Sequence, residues 1–198
     1  MINTISKNSK TELEVKKSKF IANIIKISNE QEVKNKINEI KKEYSDAKHN
    51  CYAYIIYDNE TKMKIEKSSD DREPSGTAGI PMLTLLQKNN LVNVLIIVTR
   101  YFGGILLGTG GLARAYTDAS KLVLENAKMI ELKYGELLEY NLKYDEFEHF
   151  KYICEKNNIP ILETKYQDNI KVKIKTDKEY KDLLINFNHQ ILSKNVIL

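Results

Sequence analysis

The stretch Asn93-Val94-Leu95-Ile96-Ile97-Val98-Thr99-Arg100-Tyr101-Phe102-Gly103-Gly104-Ile105-Leu106-Leu107-Gly108-Thr109-Gly110-Gly111-Leu112-Ala113-Arg114-Ala115-Tyr116 carries three structural messages in order. Asn93 to Thr99 is apolar and β-branched almost throughout, as in a central strand buried on both faces. Gly103 to Gly111 is a glycine-rich loop. Leu112, Tyr116, Ala119, Val123, Ala127 and Ile130 then recur at spacings of three and four, the pattern of a long amphipathic helix. A buried strand that feeds a helix through glycines leaves backbone free to turn sharply or to approach a ligand.

Seven of the eight glycines lie between Gly76 and Gly111. All three arginines, Arg72, Arg100 and Arg114, fall in the same region, and every other basic side chain of formal charge is lysine. Something here favours a planar five-donor fork over a point charge. Gly103, Gly104, Gly108, Gly110 and Gly111 could aim several backbone N–H groups at one point. Thr109 adds a hydroxyl, the helix N-terminus adds positive potential, and Arg100 and Arg114 flank the loop. That describes a cradle for phosphate or another oxyanion. The alternative is a tight strand-to-helix turn whose glycines serve packing. Gly108-x-Gly110-x-x-Ala113 matches a dinucleotide fingerprint weakly, without the later strand-ending acid. A P-loop is excluded, since no Gly-Lys-Ser/Thr closes the loop.

Upstream runs Ser68-Ser69-Asp70-Asp71-Arg72-Glu73-Pro74-Ser75-Gly76-Thr77-Ala78-Gly79. Asp70, Asp71 and Glu73 could hold Mg²⁺ or pair with Arg100 and Arg114 in bidentate bridges. The pairing is favoured, because the stretch lacks the ligand spacing of a calcium loop. Ser75 and Thr77 read as caps for a helix over 78–88. His49-Asn50-Cys51 opens a strand whose end is expected near the same cleft. A serine nucleophile would have only His49 as its base before residue 149, and such a device is disfavoured. Tyr101, Phe102 and Tyr116 bring aromatic faces near the arginines, a combination that stacks and clamps single-stranded nucleic acid; equally, Phe102 can belong to the core.

The flanking chain reads as sheet and helix. One or two β segments cover 11–27. Ser28 with Gln31 forms a capping-box pair before a helix to about Tyr44, with Val33, Ile37, Ile40 and Tyr44 on one face. Cys51 to Tyr57 and Met63 to Lys67 form a hairpin around a turn at 58–61. The first domain, 1–133, is expected to be a sheet with helices on one side. Within 134–198 the order is strand 136–144, a helix capped by Asp145 and Glu148, strands 159–166 and 169–175, a helix capped by Thr176 and Glu179, and a strand over 190–198. β-α-β-β-α-β is the ferredoxin-like pattern.

Composition bounds the function classes. Thirty-one basic against 27 acidic residues leave a net charge of +4, a mild lean to anionic partners and too little for a dedicated duplex-DNA binder. Cys51 and Cys154 read as two buried thiols of a reducing cytosol, and no Cys/His cluster offers zinc. The first ten residues are polar and read as no signal peptide, and the longest apolar runs are too short to cross a bilayer. A cytoplasmic protein with no membrane partner is expected.

The joint set His49-Asn50-Cys51-x-Ala53, Asp70-Asp71-x-Glu73-Pro74-Ser75-Gly76-Thr77-Ala78-Gly79, Val98-Thr99-Arg100-Tyr101-Phe102-Gly103-Gly104 and Leu107-Gly108-Thr109-Gly110-Gly111-Leu112-x-Arg114-Ala115-Tyr116 resembles the YigZ/IMPACT family, bacterial two-domain type. Arg72 stands where the family usually has Gly, and Ile80 and Leu106 where it is often basic, so the rim is less basic here. The resemblance implies an α+β architecture: an N-terminal domain like the second domain of ribosomal protein S5, as in elongation factor G domain IV, then a ferredoxin-like domain like domain V. Eukaryotic relatives bind a translational regulator and restrain a kinase pathway acting on an initiation factor. They do so with an additional N-terminal domain, and that partner is not expected to transfer. The function expected is therefore non-enzymatic: translation-associated binding to RNA or a ribosome-associated partner through the Arg/Gly-rich cleft, with no cofactor. The alternative is a hydrolase or phosphoryl-transfer enzyme using Asp70, Asp71 and Glu73 with a divalent metal.

Overall fold

The computed structural model describes residues 2–59 and 61–197, without the side chains of residues 178, 179, 195 and 197. It divides into two compact units, 1–131 and 132–198, and its elements make a mixed α/β protein.

In the first unit, β1 (Ile2–Ile5), β2 (Ser9–Val15), β3 (Ser18–Lys26), α1 (Glu30–Glu43), β4 (His49–Tyr57), β5 (Lys64–Ser69), α2 (Gly79–Lys88), β6 (Val94–Tyr101), α3 (Gly108–Ala127) and β7 (Met129–Leu132) follow one another. Five strands form one antiparallel sheet in the order β2-β3-β6-β4-β5. The β-branched run is its centre, β6, buried from Val94 to Arg100.

Register assigns every side chain to a face. Phe20 lies opposite Arg100, and Val98 is flanked by Ala22 and Cys51. These residues face α2 and α3, as the edge-to-face contact of Phe20 with Tyr116 shows. The alternate residues Leu95 and Ile97, with Tyr54 and Ile56, meet Val33 and Ile40 of α1. Helices therefore cover both faces of the sheet, not one. The physical reason is β6 itself: it is apolar on both faces and needs cover on both.

Local chemistry shifts several boundaries. The α1 cap is Asn29, whose side chain accepts from Glu32 N, while Glu32 accepts from Ser28 N at 2.7 Å. The box thus sits one residue later than Ser28/Gln31. The helix expected through Ile130 stops at Ala127, where Lys128 turns left-handed at φ 56°. Met129–Leu132 becomes β7 and pairs with β1, two short strands that the sequence reading had not assigned. Glu60, in the expected 58–61 turn, lies outside the described residues.

The second unit runs β8 (Tyr134–Leu142), α4 (Tyr144–Lys156), β9 (Ile161–Tyr166), β10 (Ile170–Thr176), α5 (Lys178–Lys181) with a 3₁₀ turn over 182–184, and β11 (His189–Ile197). Its sheet is ordered β11-β8-β10-β9 and is antiparallel throughout. Leu138, Tyr140, Phe150, Cys154, Val172, Ile174 and Leu184 are among its core. Glu146 accepts from Lys143 N at 2.8 Å, two residues before the expected Asp145/Glu148 pair. α5 is capped by Asp177, not Thr176, and the side chain of Glu179 lies outside the described residues. Both cysteines are free and buried. Among the described residues no helix is long and apolar enough to cross a membrane.

Candidate functional site

The loop between β5 and α2 folds around its own acids. Asp70 Oδ1 accepts from Ala78 N and Gly79 N at 2.9 and 2.8 Å, and its Oδ2 accepts from Gly76 N at 2.9 Å. A carboxylate eight residues upstream thus caps α2, whose own N-cap, Ala78, has no side-chain acceptor. Burial pushes the Asp70 pKa up, but the three N–H donors outweigh it and hold the group below the usual carboxylate value. Ser75 and Thr77 are not the caps. Thr77 Oγ1 donates to Pro74 O at 2.6 Å, and Ser75 is exposed.

Asp71 serves a different neighbour. Its Oδ2 accepts from Asn50 N at 2.7 Å, and its carbonyl oxygen lies 3.0 Å from His49 Nδ1. Lys41 of α1 approaches Oδ1 at 3.4 Å. Asn50 in turn accepts from Thr99 Oγ1 at 2.7 Å. Asp71 and Arg72 are both left-handed, at φ 38° and 73°, and Arg72 donates to Lys48 O.

Glu73 turns inward. Its Oε1 accepts from Arg100 Nη1 at 2.7 Å and from Tyr116 OH at 2.9 Å. The two ionic side chains are only 7% and 3% exposed. The Arg100 guanidinium lies 5.6 Å from the Phe20 ring centroid and 5.7 Å from that of Phe102, and its Nε is buried without a partner among the described residues. Cys51 Sγ lies 3.0 Å from Asp70 O and 3.3 Å from Tyr116 OH. Burial, first, and the neighbouring acids push the Cys51 thiol up to about 12. Burial also drives the Tyr116 phenol far above its ordinary value, helped by Cys51 and Glu73. Neither group ionises near neutrality, so neither is an activated nucleophile or base.

The glycine loop behaves differently. Tyr101 OH donates to Asp46 at 2.7 Å, on the α1 face of the sheet. Gly103 is forced, because a Cβ there would collide with the Lys17 carbonyl group. Gly104 and Gly108 hold φ of 85° and 70°, which glycine adopts freely. α3 begins at Gly108 with no side-chain cap, so Thr109, Gly110 and Gly111 form a first turn with uncapped N–H groups. Thr109, Gly110 and Arg114 are exposed.

The structure therefore gathers His49, Asn50, Asp70, Asp71, Glu73, Arg100 and Tyr116 into one internal network and leaves Thr109, Gly110 and Arg114 outside it. Arg100 and Arg114 do not flank a common point as a pair of free guanidiniums: Arg100 is committed to Glu73. The three carboxylates diverge to an α2 cap, a β4 amide and an interior arginine, and no metal-ligating cluster forms among the described residues. Lys41 and Lys48 belong to the network without any signal in the sequence. Cys51, expected as a buried thiol in the strand beside Asn50, joins it as well.

Residues 16–124 match the family model described as the Impact N-terminal domain. The chain belongs to the IMPACT family. It is similar to the IMPACT family member YvyE of Bacillus subtilis (strain 168), 37% identical over 167 residues, 84% of this chain and 76% of that one. An IMPACT family member of Haemophilus influenzae is 36% identical over 162 residues, 80% of this chain and 77% of its own length. The crystal structure of a hypothetical protein superposes with TM-score 0.72 at 25% identity, covering 97% of this chain and 96% of that one. Both loops of the network lie inside the matched IMPACT segment.

Proposed function

We propose that this IMPACT-family chain is a non-catalytic binding protein of the translation apparatus. It meets RNA or a ribosome-associated partner through the outer side of the glycine loop and the start of α3. One observation carries the choice of binding over catalysis: the groups able to do chemistry are consumed by the fold. Asp70 caps a helix, Glu73 neutralises Arg100, and Cys51 and Tyr116 are buried with raised pKa values. The uncapped first turn of α3 and the exposed Arg114 remain for a partner. The translation assignment rests on IMPACT-family membership and on the role that the resemblance implies for eukaryotic members. The reading includes a cytoplasmic location and no cofactor.

The same proposal assigns the first unit to the S5 second-domain type and the second to the ferredoxin-like type, with the boundary at 133/134. Support for the latter is topological. Numbered within the unit, its strands run 4-1-3-2 in a β-α-β-β-α-β order, as expected for that pattern.

The test is sedimentation of the protein with ribosomes through sucrose gradients at two salt concentrations, with Arg114→Ala alongside. Salt-sensitive co-sedimentation that weakens in the variant is expected. Absence of co-sedimentation at low salt for both proteins overturns the proposal. Calorimetric heat with Mg²⁺ and nucleotide at millimolar concentration would count for the metal-dependent alternative.

A further inference from the structure

Around the glycine loop, the chain repeatedly uses residues that the fold itself does not favour. The β2–β3 hairpin closes with a two-residue turn, since Val15 pairs with Ser18. Both turn residues are left-handed, Lys16 at φ 47° and Lys17 at φ 64°. Asn-Gly is the sequence such a turn prefers, and lysine there carries a backbone penalty. Both lysines are exposed. Their turn is seated against the loop, because Gly103 has no Cβ to hold off the Lys17 backbone and Gly103 N donates to Ser18 Oγ at 3.1 Å.

Next to Gly103, Phe102 is 55% exposed. One side of its ring lies over the buried Arg100 guanidinium. Cation and ring attract, and Glu73 fixes the cation, so the ring is held while much of its surface meets solvent. Gly110 adds a third anomaly. It lies within α3, its φ is not left-handed, and nothing stands within 4 Å of where a Cβ would be. Glycine costs helix stability there with no packing return. Arg114 follows four residues later, on the same helical face, and it makes no ion pair among the described residues.

We propose that this surface binds single-stranded RNA, with an unpaired base stacked on Phe102 and the adjoining phosphates met by Lys16, Lys17 and Arg114. This deepens the RNA branch of the proposed function and rests on it. Each anomaly fits one part of such a ligand. An anchored, half-open aromatic ring accepts a base face, which a duplex keeps stacked inside. Cations on a turn and a helix bracket a polyanion. Bare backbone at Gly110 admits a phosphate oxygen close to the uncapped N–H groups of α3. An acidic, apolar peptide is the rival, since Leu106, four residues further along the same loop, is 83% exposed. Such a partner would use Leu106 at least as much as Phe102, and it gives no role to a glycine in the helix.

The experiment is fluorescence anisotropy of a labelled mixed-sequence 12-mer RNA, as single strand and as duplex, over a salt series. The parent protein is compared with Phe102→Ala, Phe102→Tyr, Leu106→Ala and the double variant Lys16→Asn/Lys17→Gly. Expected are tighter binding of the single strand than of the duplex, and a loss of roughly 5- to 100-fold for Phe102→Ala with recovery in Phe102→Tyr. The double variant should show a shallower salt dependence, by about 1.4 units of slope, at about 0.7 for each lost phosphate contact, with a melting temperature no lower than the parent's because its turn residues suit the turn. Equal affinity for duplex, no effect of Phe102→Ala, or a larger effect of Leu106→Ala overturns the inference. Failure to bind the RNA by a protein that still co-sediments with ribosomes overturns this inference alone and leaves the translation reading standing with a protein partner. Failure in both assays removes both.

Discussion

Arg100 and Glu73 meet at 2.7 Å in the space between β6, α3 and the acidic loop, with Tyr116 donating to the same carboxylate oxygen. A buried pair of this kind is costly to assemble and more costly to halve. Glu73→Ala would leave the guanidinium charged, desolvated and flanked only by rings. A loss of about 3–5 kcal/mol is expected from urea unfolding. The double variant Arg100→Met/Glu73→Leu removes both charges and should unfold at higher urea than either single variant. Additive losses would show that the two residues do not act as a pair.

Asp70 sets the acid limb of stability. Its folded pKa is depressed by three backbone N–H donors that exist only in the native loop. A depressed carboxylate pKa stabilises the fold above the unfolded value, about 3.9, and that contribution is lost as pH falls through the folded value. Asp70→Asn keeps one acceptor oxygen and loses the charge. The variant should be less stable than the parent by about 1 kcal/mol at pH 7. The gap should narrow steadily as pH falls below about 4. A gap independent of pH in thermal melts would refute the assignment.

The strand-loop-helix frame was legible because each part has a strong local signal: a β-branched run, clustered glycines, and apolar residues at three and four. The two-stranded sheet of β1 and β7 was not legible. Its strands have four residues each, and they exist only because the two segments meet. The fate of the arginines needed register. Arg100 shares strand parity with Ile96 and Val98, which points it at α3, and a glutamate 27 residues earlier makes that tolerable. Arg114, with the same chemistry, sits on the outward side of a helix between the buried Leu112 and Ala115. Residue type drew attention to both, but only the three-dimensional neighbours separate a structural guanidinium from an available one. The Lys16-Lys17 turn was not legible for the opposite reason, since lysine is the commonest charged residue of this chain and left-handed φ is invisible in sequence.

Arg72 offers a test of that backbone cost. At φ 73° a side chain meets its own carbonyl, and glycine does not. Arg72→Gly should exceed Arg72→Ala in stability by about 1 kcal/mol, even though both lose the bond to Lys48 O. Surface helix positions show the reverse order, so the ranking in thermal melts is diagnostic. Alanine at or above glycine would mean that the loop relaxes out of the left-handed region.

Gly103, in the loop, and Gly110, in the first turn of α3, separate architecture from recognition. Alanine at 103 must displace the Lys17 backbone, and the variant should lose several kcal/mol or fail to fold, as overpacking against main chain does (roughly 1–3 kcal/mol or more). Alanine at 110 meets open space and should stabilise α3 by up to about 1 kcal/mol. The same methyl would stand between a ligand and the uncapped N–H groups of the first turn. Gly110→Ala should therefore melt at or above the parent temperature and bind the single-stranded RNA more weakly. A more stable protein with undiminished affinity would show that the ligand does not come close to the backbone at this turn, and that this glycine has no part in recognition.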